Sequence, residues 1–453
     1  MAPRYDERMT ETATPSFPDA EADPPRAPRS RADPARSATP TAGAPPRRRA
    51  TLPLLWSGFG VVHLTLLLLA WYGGGQPLGD VTNSYVRWAS DAFQNGTVVG
   101  ITTSWVYPLL ALVPILLAFA FGSTPYELTW LLLVTVLDAV AFAVLIGDGR
   151  VRRRILAASW WLAALLLLGP IAVGRIDSIT MPLAVLAVTV LARHPRVAAI
   201  LLAIATWIKI WPVAVLVAVA ATGRRWRTPI VAGIGVSIAV AGLEWAGGGD
   251  IRLLVGFLGD QSTRGLQFES TLATPFDWLA RAGQGRIIFN AGLITFEVQG
   301  PGTAVVSGLT TVLLVVTVAL SAGLGLWRRR RAAPGALVPT LALQLVLCLI
   351  VFNKVGSPQF MTWLLPVVVF GLLVHGRGFA VPVVGALAVA GLTQLFYPYL
   401  YTSLLVLHTP ELIALTLRNA WLVALLAWST VTLVRGGPQP RAVRVVGVPA
   451  PTI

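Results

Sequence analysis

Long apolar runs of about 15 to 24 residues alternate along this chain with short joints rich in arginine or in glycine and proline. An α-helix needs about 20 such residues to cross roughly 30 Å of hydrocarbon, whereas a membrane β-barrel would show alternating segments of about 10. The first run, Leu52 to Tyr72, follows Arg47-Arg48-Arg49, a cluster that the positive-inside rule keeps on the cytoplasmic side. Arg150, Arg152, Arg153, Arg154, Arg193, Arg196, Arg224, Arg225, Arg227, Arg328 to Arg331, Arg377 and Arg435 mark the same side. Acids mark the other: Asp80, Asp91, Asp177, Asp250, Asp260, Glu269, Asp277 and Glu297.

Two stretches break the expected parity. Between Asp80 outside and Arg150 inside lie two apolar runs, Val106–Phe121 and Trp130–Ile146, where an odd number of crossings is required. The first contains Pro108 and Pro114 and stops at Gly122, so it predicts a juxtamembrane helix within a long outer loop, 73–127. The run Val197–Thr222 has arginine on both flanks, with Lys209 and Pro212 near its centre. Two short helices meeting at Trp207–Pro212 satisfy both flanks, and such a break is tolerated where it lines a cavity. The fold class expected is an all-α polytopic membrane protein of about 12 membrane segments, with both termini cytoplasmic. A second outer loop spans 247–302, where Pro275–Ala282 reads as a helix lying along the interface.

Composition supports this and removes alternatives. The 453 residues are 55% hydrophobic and only 12% charged, with a mean hydropathy of +0.71. A net charge of +15 points to topology-setting arginines in short joints, and no nucleic-acid partner is expected. The single cysteine, Cys348, lies in an apolar run and the four histidines are scattered, so no metal site and no cofactor are expected. Residues 1–50 carry almost no large apolar side chains and read as a disordered cytoplasmic tail. The membrane domain is 51–436, and 437–453 form a second cytoplasmic tail.

Charges at a membrane cavity are costly to hold there and are therefore candidates for chemistry. Asp80 comes first, as a carboxylate just beyond the first span and followed by Tyr85. Asp91 lies eleven residues on, about three helical turns, so both acids face one way if the helix is regular. Arg175 and Asp177 occupy a short outer turn, where they either pair with each other or line the cavity of Asp80. Lys209 is about ten residues from either flank, too far for its side chain to snorkel, which predicts an anionic partner. Lys354 is an outer-side cation before Ser357, Pro358 and Gln359, which are expected to open a helix whose N–H groups suit a phosphate. Arg264 and Arg418 are further outer cations. Asp138 sits mid-span, either hydrogen-bonded within the bundle or protonated. No phosphate-binding glycine loop, nucleophile elbow or HExxH is present.

In order along the chain stand a first-loop acid, Tyr107-Pro108, the turn Gly174-Arg175-Ile176-Asp177, Lys209-x-x-Pro212 and Ser357-Pro358-Gln359-Phe360. The set resembles the integral-membrane glycosyltransferases of the GT-C fold, and family 87 in particular, over roughly residues 52–435. Two elements differ from that family: Tyr107-Pro108 lacks a second proline, and Gly-Arg-Ile-Asp stands where Gly-Gln-x-Asn is common. The resemblance implies that Asp80 is the catalytic base and that a mannosyl or arabinosyl group leaves a polyprenyl-phosphate donor at the outer face of the plasma membrane. It implies a glycolipid or glycan acceptor, with Lys354, Arg264, Lys209 and Arg418 as cations for the donor phosphate. Tyr85, Asp91, Tyr107, Arg175, Asp177, Ser357 and Gln359 would line the substrate cavity. The competing reading is a transporter or flippase of a lipid-linked sugar, which needs the cations but no base.

Overall fold

A computed structural model describes residues 51–260, 264–291, 295–333 and 335–438; the expected tail 1–50, and all but the first two residues of the expected tail 437–453, lie outside them. The first span is α1 (Thr51–Tyr72). The loop after it holds a π-helical turn, Asp80–Tyr85, that runs into α2 (Val86–Gln94). A short helical stretch, Leu109–Phe121, contains α3 (Leu112–Ala118) between two 3₁₀ turns.

The chain continues through α4 (Tyr126–Ile146), α5 (Arg152–Leu168), α6 (Asp177–Val190), α7 (Pro195–Ile208), α8 (Val213–Thr222) and α9 (Arg227–Ala246). The second loop carries α10 (Ile251–Asp260), α11 (Thr274–Arg281) and a hairpin of β1 (Arg286–Asn290) with β2 (Thr295–Gln299). Then come α12 (Thr303–Arg328), α13 (Val338–Val351), α14 (Leu364–His375), α15 (Ala380–Phe396), α16 (Tyr401–Leu405) and α17 (Thr409–Val434). The molecule is mostly helical. Among the described residues, seven helical stretches are long and apolar enough to span a membrane.

Burial separates centre from periphery. Most of α13 and α14 is buried, while α9 and α12 expose Val231, Ile234, Ile238, Val305, Val312 and Leu320. In lipid an exposed valine or leucine costs nothing, because acyl chains are as apolar as the side chain. What joins the helices specifically is therefore packing and a few polar bonds. Asp138 is one: its Oδ2 lies 3.0 Å from His63 Nε2, and His63 Nδ1 lies 3.0 Å from the Phe59 carbonyl, tying α1 to α4. Gln344 on α13 is another, bonded to Ser321 on α12 and to Ser429 and Thr430 on α17.

The second loop contains the expected helix near 275–282, as α11. Leu266, Phe268, Ala273, Ala280 and Val298 form a small core with Phe396, Leu404, Leu412 and Leu415, so the loop is folded onto α15–α17. Trp278 Nε1 donates to Thr416 Oγ1 at 3.0 Å, and Arg281 Nε to Thr409 Oγ1 at 2.9 Å. The hairpin pairs Arg286 with Gln299 and Asn290 with Thr295 in antiparallel register. Its strands, five residues each, are too short for alternation alone to have flagged them.

Candidate active site

Helix length sets the depth of the site. The 14 residues of α6 span about 21 Å, less than the ~30 Å of a bilayer core. Its partner α7, also 14 residues long, packs beside it. The start of α6 and the break at Lys209–Pro212 come together, with Lys209 and Asp177 in contact. Lys209 leaves the helix in an extended conformation (φ −151°, ψ 134°), which frees its side chain to reach across.

Two ion pairs lie here. Lys209 Nζ lies 3.5 Å from Asp177 Oδ2, and Arg175 Nε lies 3.3 Å from Asp80 Oδ2. Arg175 and Asp177 thus do not pair with each other; each turns to a different element. Asp177 is fully buried, and its Oδ1 accepts from Trp363 Nε1 at 2.6 Å. The Lys209 ammonium stands over the Tyr107 ring at 4.6 Å, a contact that suits a desolvated cation. Trp211 stacks on Trp363, and its Nε1 donates to Thr180 at 3.0 Å.

The turn itself is pinned by aromatic side chains. The Ile176 N–H donates to the Tyr85 hydroxyl at 3.0 Å, and Trp130 Nε1 donates to the Val173 carbonyl at 3.0 Å. Gly174 permits the close approach of the Asp80 segment: a Cβ there would sit 2.8 Å from the Pro77 carbonyl oxygen. Arg175 exploits that proximity. Its Nη1 donates to the Pro77 and Gly174 carbonyls, both at 3.1 Å, and its Nη2 donates to the Tyr397 hydroxyl. The guanidinium is buried, whereas the Asp80 side chain retains 36% exposure. One face of the carboxylate is held and the other is open.

Several expected residues take other positions. Asp91 does not join Asp80. Its Oδ1 accepts from Asn95 Nδ2 at 2.9 Å, closing the end of α2. The π turn at 80–85 widens the helix and removes the phase that a regular eleven-residue spacing would give. Arg418, expected to bind phosphate, is 1% exposed; it donates to the Gly356 carbonyl at 3.3 Å and to the Glu269 carbonyl. It is a clamp between two loops. Ser357 and Pro358 open the next helical stretch as expected: Ser357 precedes a 3₁₀ segment, Pro358–Trp363, that runs directly into α14. The Ser357 hydroxyl donates to Gln359 Oε1 at 3.0 Å.

Lys354 and Arg264 lie on the two loops that Arg418 joins. The Gln267 N–H donates to the Lys354 carbonyl at 3.0 Å, and the Arg264 carbonyl accepts from Ser307. Two residues had no strong signal in the sequence. Tyr397, at the end of α15, receives the Arg175 bond and lies within electrostatic reach of both Asp80 and Glu269. Glu269, noted only as a topological marker, is 1% exposed, and its carboxyl is pushed up to about 7 by burial, against the opposing pull of Arg418 and Arg175. The one cue would have been its place among Gln267, Phe268 and Ser270, a polar and aromatic mixture unlike a wet loop.

The sequence profile of glycosyltransferase family 87 matches residues 105–352, more than half of the chain. No curated protein and no solved structure matches. The matched stretch includes Tyr107, Arg175, Asp177, Lys209 and Arg264, while Asp80 precedes it and Lys354, Ser357, Gln359 and Arg418 follow. Spanning-length helices, two neighbouring ion pairs at helix ends and this match lead to one conclusion. The chain belongs to glycosyltransferase family 87 and is a membrane-helical glycosyltransferase.

Proposed function

We propose that this enzyme transfers mannose or arabinose, with inversion, from a polyprenyl-phosphate donor to a hydroxyl of a glycolipid or cell-envelope glycan at the outer face of the plasma membrane. The same reading takes α1, α4 to α9, α12 to α15 and α17 as twelve membrane segments, with Leu109–Phe121 juxtamembrane. All the joints that hold candidate residues then share one end, opposite the arginine clusters.

Asp80 is the general base. Arg175 fixes one carboxylate oxygen, and the exposed side of the group receives the acceptor proton as the acceptor oxygen attacks the anomeric carbon. The new C–O bond forms as the bond from the anomeric carbon to the phosphate oxygen breaks, and the electron pair leaves with the polyprenyl phosphate. The leaving phosphate needs positive charge, and we assign Lys354 and Arg264, on the loops that Arg418 joins, to it. Lys209 adds a donor, since an ammonium has three N–H bonds and Asp177 takes only part of them. An apolar groove of 590 Å³ lined by Trp207, Leu216, Ile230, Ile234, Ile238 and Leu254 begins two residues from Lys209. We take it as the seat of the isoprenoid tail.

The observation that carries this reading is the half-exposed Asp80 carboxylate held by a buried arginine beside a second charged pair. The test incubates membranes containing wild type or Asp80→Asn with labelled polyprenyl-phosphate mannose or arabinose. Label should reach a lipid or glycan with wild type only. Equal transfer by both would remove Asp80 from the mechanism; lipid movement without transfer by wild type would favour a transporter.

A further inference from the structure

Glu269 is a buried acid that the reaction above does not use. Its surroundings are built. Gln267 Nε2 donates to Glu269 Oε2, while Gln267 Oε1 accepts from the Gly356 N–H at 2.9 Å. The same residue's main-chain N–H holds the Lys354 carbonyl at 3.0 Å. A glutamine amide can be turned either way, and here both ends are specified: the carboxyl requires NH₂ on its side, and the backbone N–H requires oxygen on the other. Gly356 packs so tightly that a Cβ would lie 2.3 Å from the Glu269 carbonyl carbon. Arg418 then bridges the carbonyls of Glu269 and Gly356 from beneath. The charged and titratable groups around the carboxyl are Arg418 from α17, Asp277 from α11, Tyr401 from α16 and, beyond Tyr397, Arg175.

We propose that Glu269 is a positioning residue for glycosyl transfer: its carboxyl orients the Gln267 amide, which in turn sets the Asn353–Gly356 loop that presents Lys354. The inference rests on the proposed function in that Lys354 is taken to meet the donor phosphate. Glu269 touches no substrate itself. Its removal leaves a buried amide NH₂ without an acceptor, and the amide loses its reason to keep its oxygen on Gly356.

Two measurements test this. The first is steady-state transfer with whichever labelled donor, polyprenyl-phosphate mannose or arabinose, the wild type uses. Glu269→Ala should raise the donor KM about tenfold with kcat within about threefold. Glu269→Gln, which offers a neutral carbonyl to the same amide, should restore KM. Gln267→Leu should match Glu269→Ala, and the double variant should be no worse than either single one, as expected of residues acting in series.

The second needs no donor. In Val355→Cys protein, where the native Cys348 is buried, maleimide labelling should accelerate severalfold with Glu269→Ala or Gln267→Leu and stay at the parent rate with Glu269→Gln. If Glu269→Ala leaves both KM and labelling unchanged, or the double variant is additive, the proposal is overturned. A wild type that uses neither donor overturns the donor assignment alone, and labelling still decides the role of Glu269. If Glu269→Ala fails to fold, Gln267→Leu must show the KM rise and faster labelling, or the proposal falls.

Discussion

Arg175 Nε lies 3.3 Å from Asp80 Oδ2, while the rest of its guanidinium is committed to the Pro77 and Gly174 carbonyls and the Tyr397 hydroxyl. The side chain therefore works as a fixed bracket: four partners from three parts of the chain determine where the Asp80 carboxylate points. A guanidinium has the planar array of donors to do this, and an ammonium does not. Arg175→Lys should keep the charge and lose the geometry. A misplacement of about 1 Å is enough for a loss on the order of 100-fold in rate. We expect kcat to fall by about that factor with donor KM little changed, and Tyr397→Phe to cost only a few-fold. A large KM effect with intact kcat would instead place Arg175 on the donor.

The second pair predicts an asymmetry. Asp177 is fully buried and Lys209 keeps 14% side-chain exposure. Breaking a buried pair by removing one partner typically costs about 3–5 kcal/mol, because the other charge is stranded. Lys209→Met strands the deeper charge and should be the more damaging single change. Asp177→Asn retains the acceptor for Trp363 and leaves Lys209 against the Tyr107 ring, so its effect should be milder. The double variant should recover much of the loss of Lys209→Met. Thermal unfolding of the detergent-solubilised variants checks the order, and additive losses would mean the pair is not coupled.

Much of this arrangement was legible in the sequence, because membrane topology constrains the joints. Parity alone required a non-crossing segment near Tyr107 and a broken helix at Lys209, and a short Leu109–Phe121 helix and an extended Lys209 are what the chain adopts. Partner choice was not legible. Arg175 and Asp177 are two residues apart, yet they face different elements because the turn at Ile176 starts α6 between them. The π turn at Asp80–Tyr85 was not legible either, because it alters phase without altering composition. Arg418 looked like a phosphate ligand because sequence shows charge and not the two backbone carbonyls waiting for it. Glu269 was overlooked for the related reason that an outer-loop acid is ordinarily wet, and burial came from the folded cap of 264–299.

That burial has a pH signature. The Glu269 carboxyl is raised from its ordinary value to about 7, with burial as the largest cause. A carboxyl whose folded value is raised binds its proton more tightly in the native state. Its contribution to stability is then complete below the unfolded value near 4.5 and is lost as pH rises through about 7. Each pH unit of displacement is worth about 1.4 kcal/mol, so Glu269 costs on the order of 3 kcal/mol above pH 8. Glu269→Gln cannot ionise. Between pH 5 and pH 8 its melting temperature should fall less than that of wild type, with the curves diverging from about pH 5 and running parallel above about pH 7. Curves parallel throughout would show that Glu269 is not the titrating group.

Sidedness is the remaining structural claim with a direct test. Ser123 is exposed at the end of the Leu109–Phe121 segment, and Ala333 is exposed just beyond α12. Following the chain from one to the other passes α4, α5, α6, the paired short helices α7 and α8, α9 and α12. If α7 and α8 together enter and leave from the same side, that path makes five full crossings and the two residues face opposite compartments. If the broken helix instead crossed once, they would share a side. Cys348 is buried, so single cysteines at the two sites report without background. In intact cells Ser123→Cys should react with a membrane-impermeant maleimide, and Ala333→Cys only after permeabilisation. The reverse result would put Asp80 at the cytoplasmic face, where the donor would have to be met in the inner leaflet. Labelling of both from outside would mean that Lys209 lies in a continuous span, and its pairing with Asp177 would lose its topological basis.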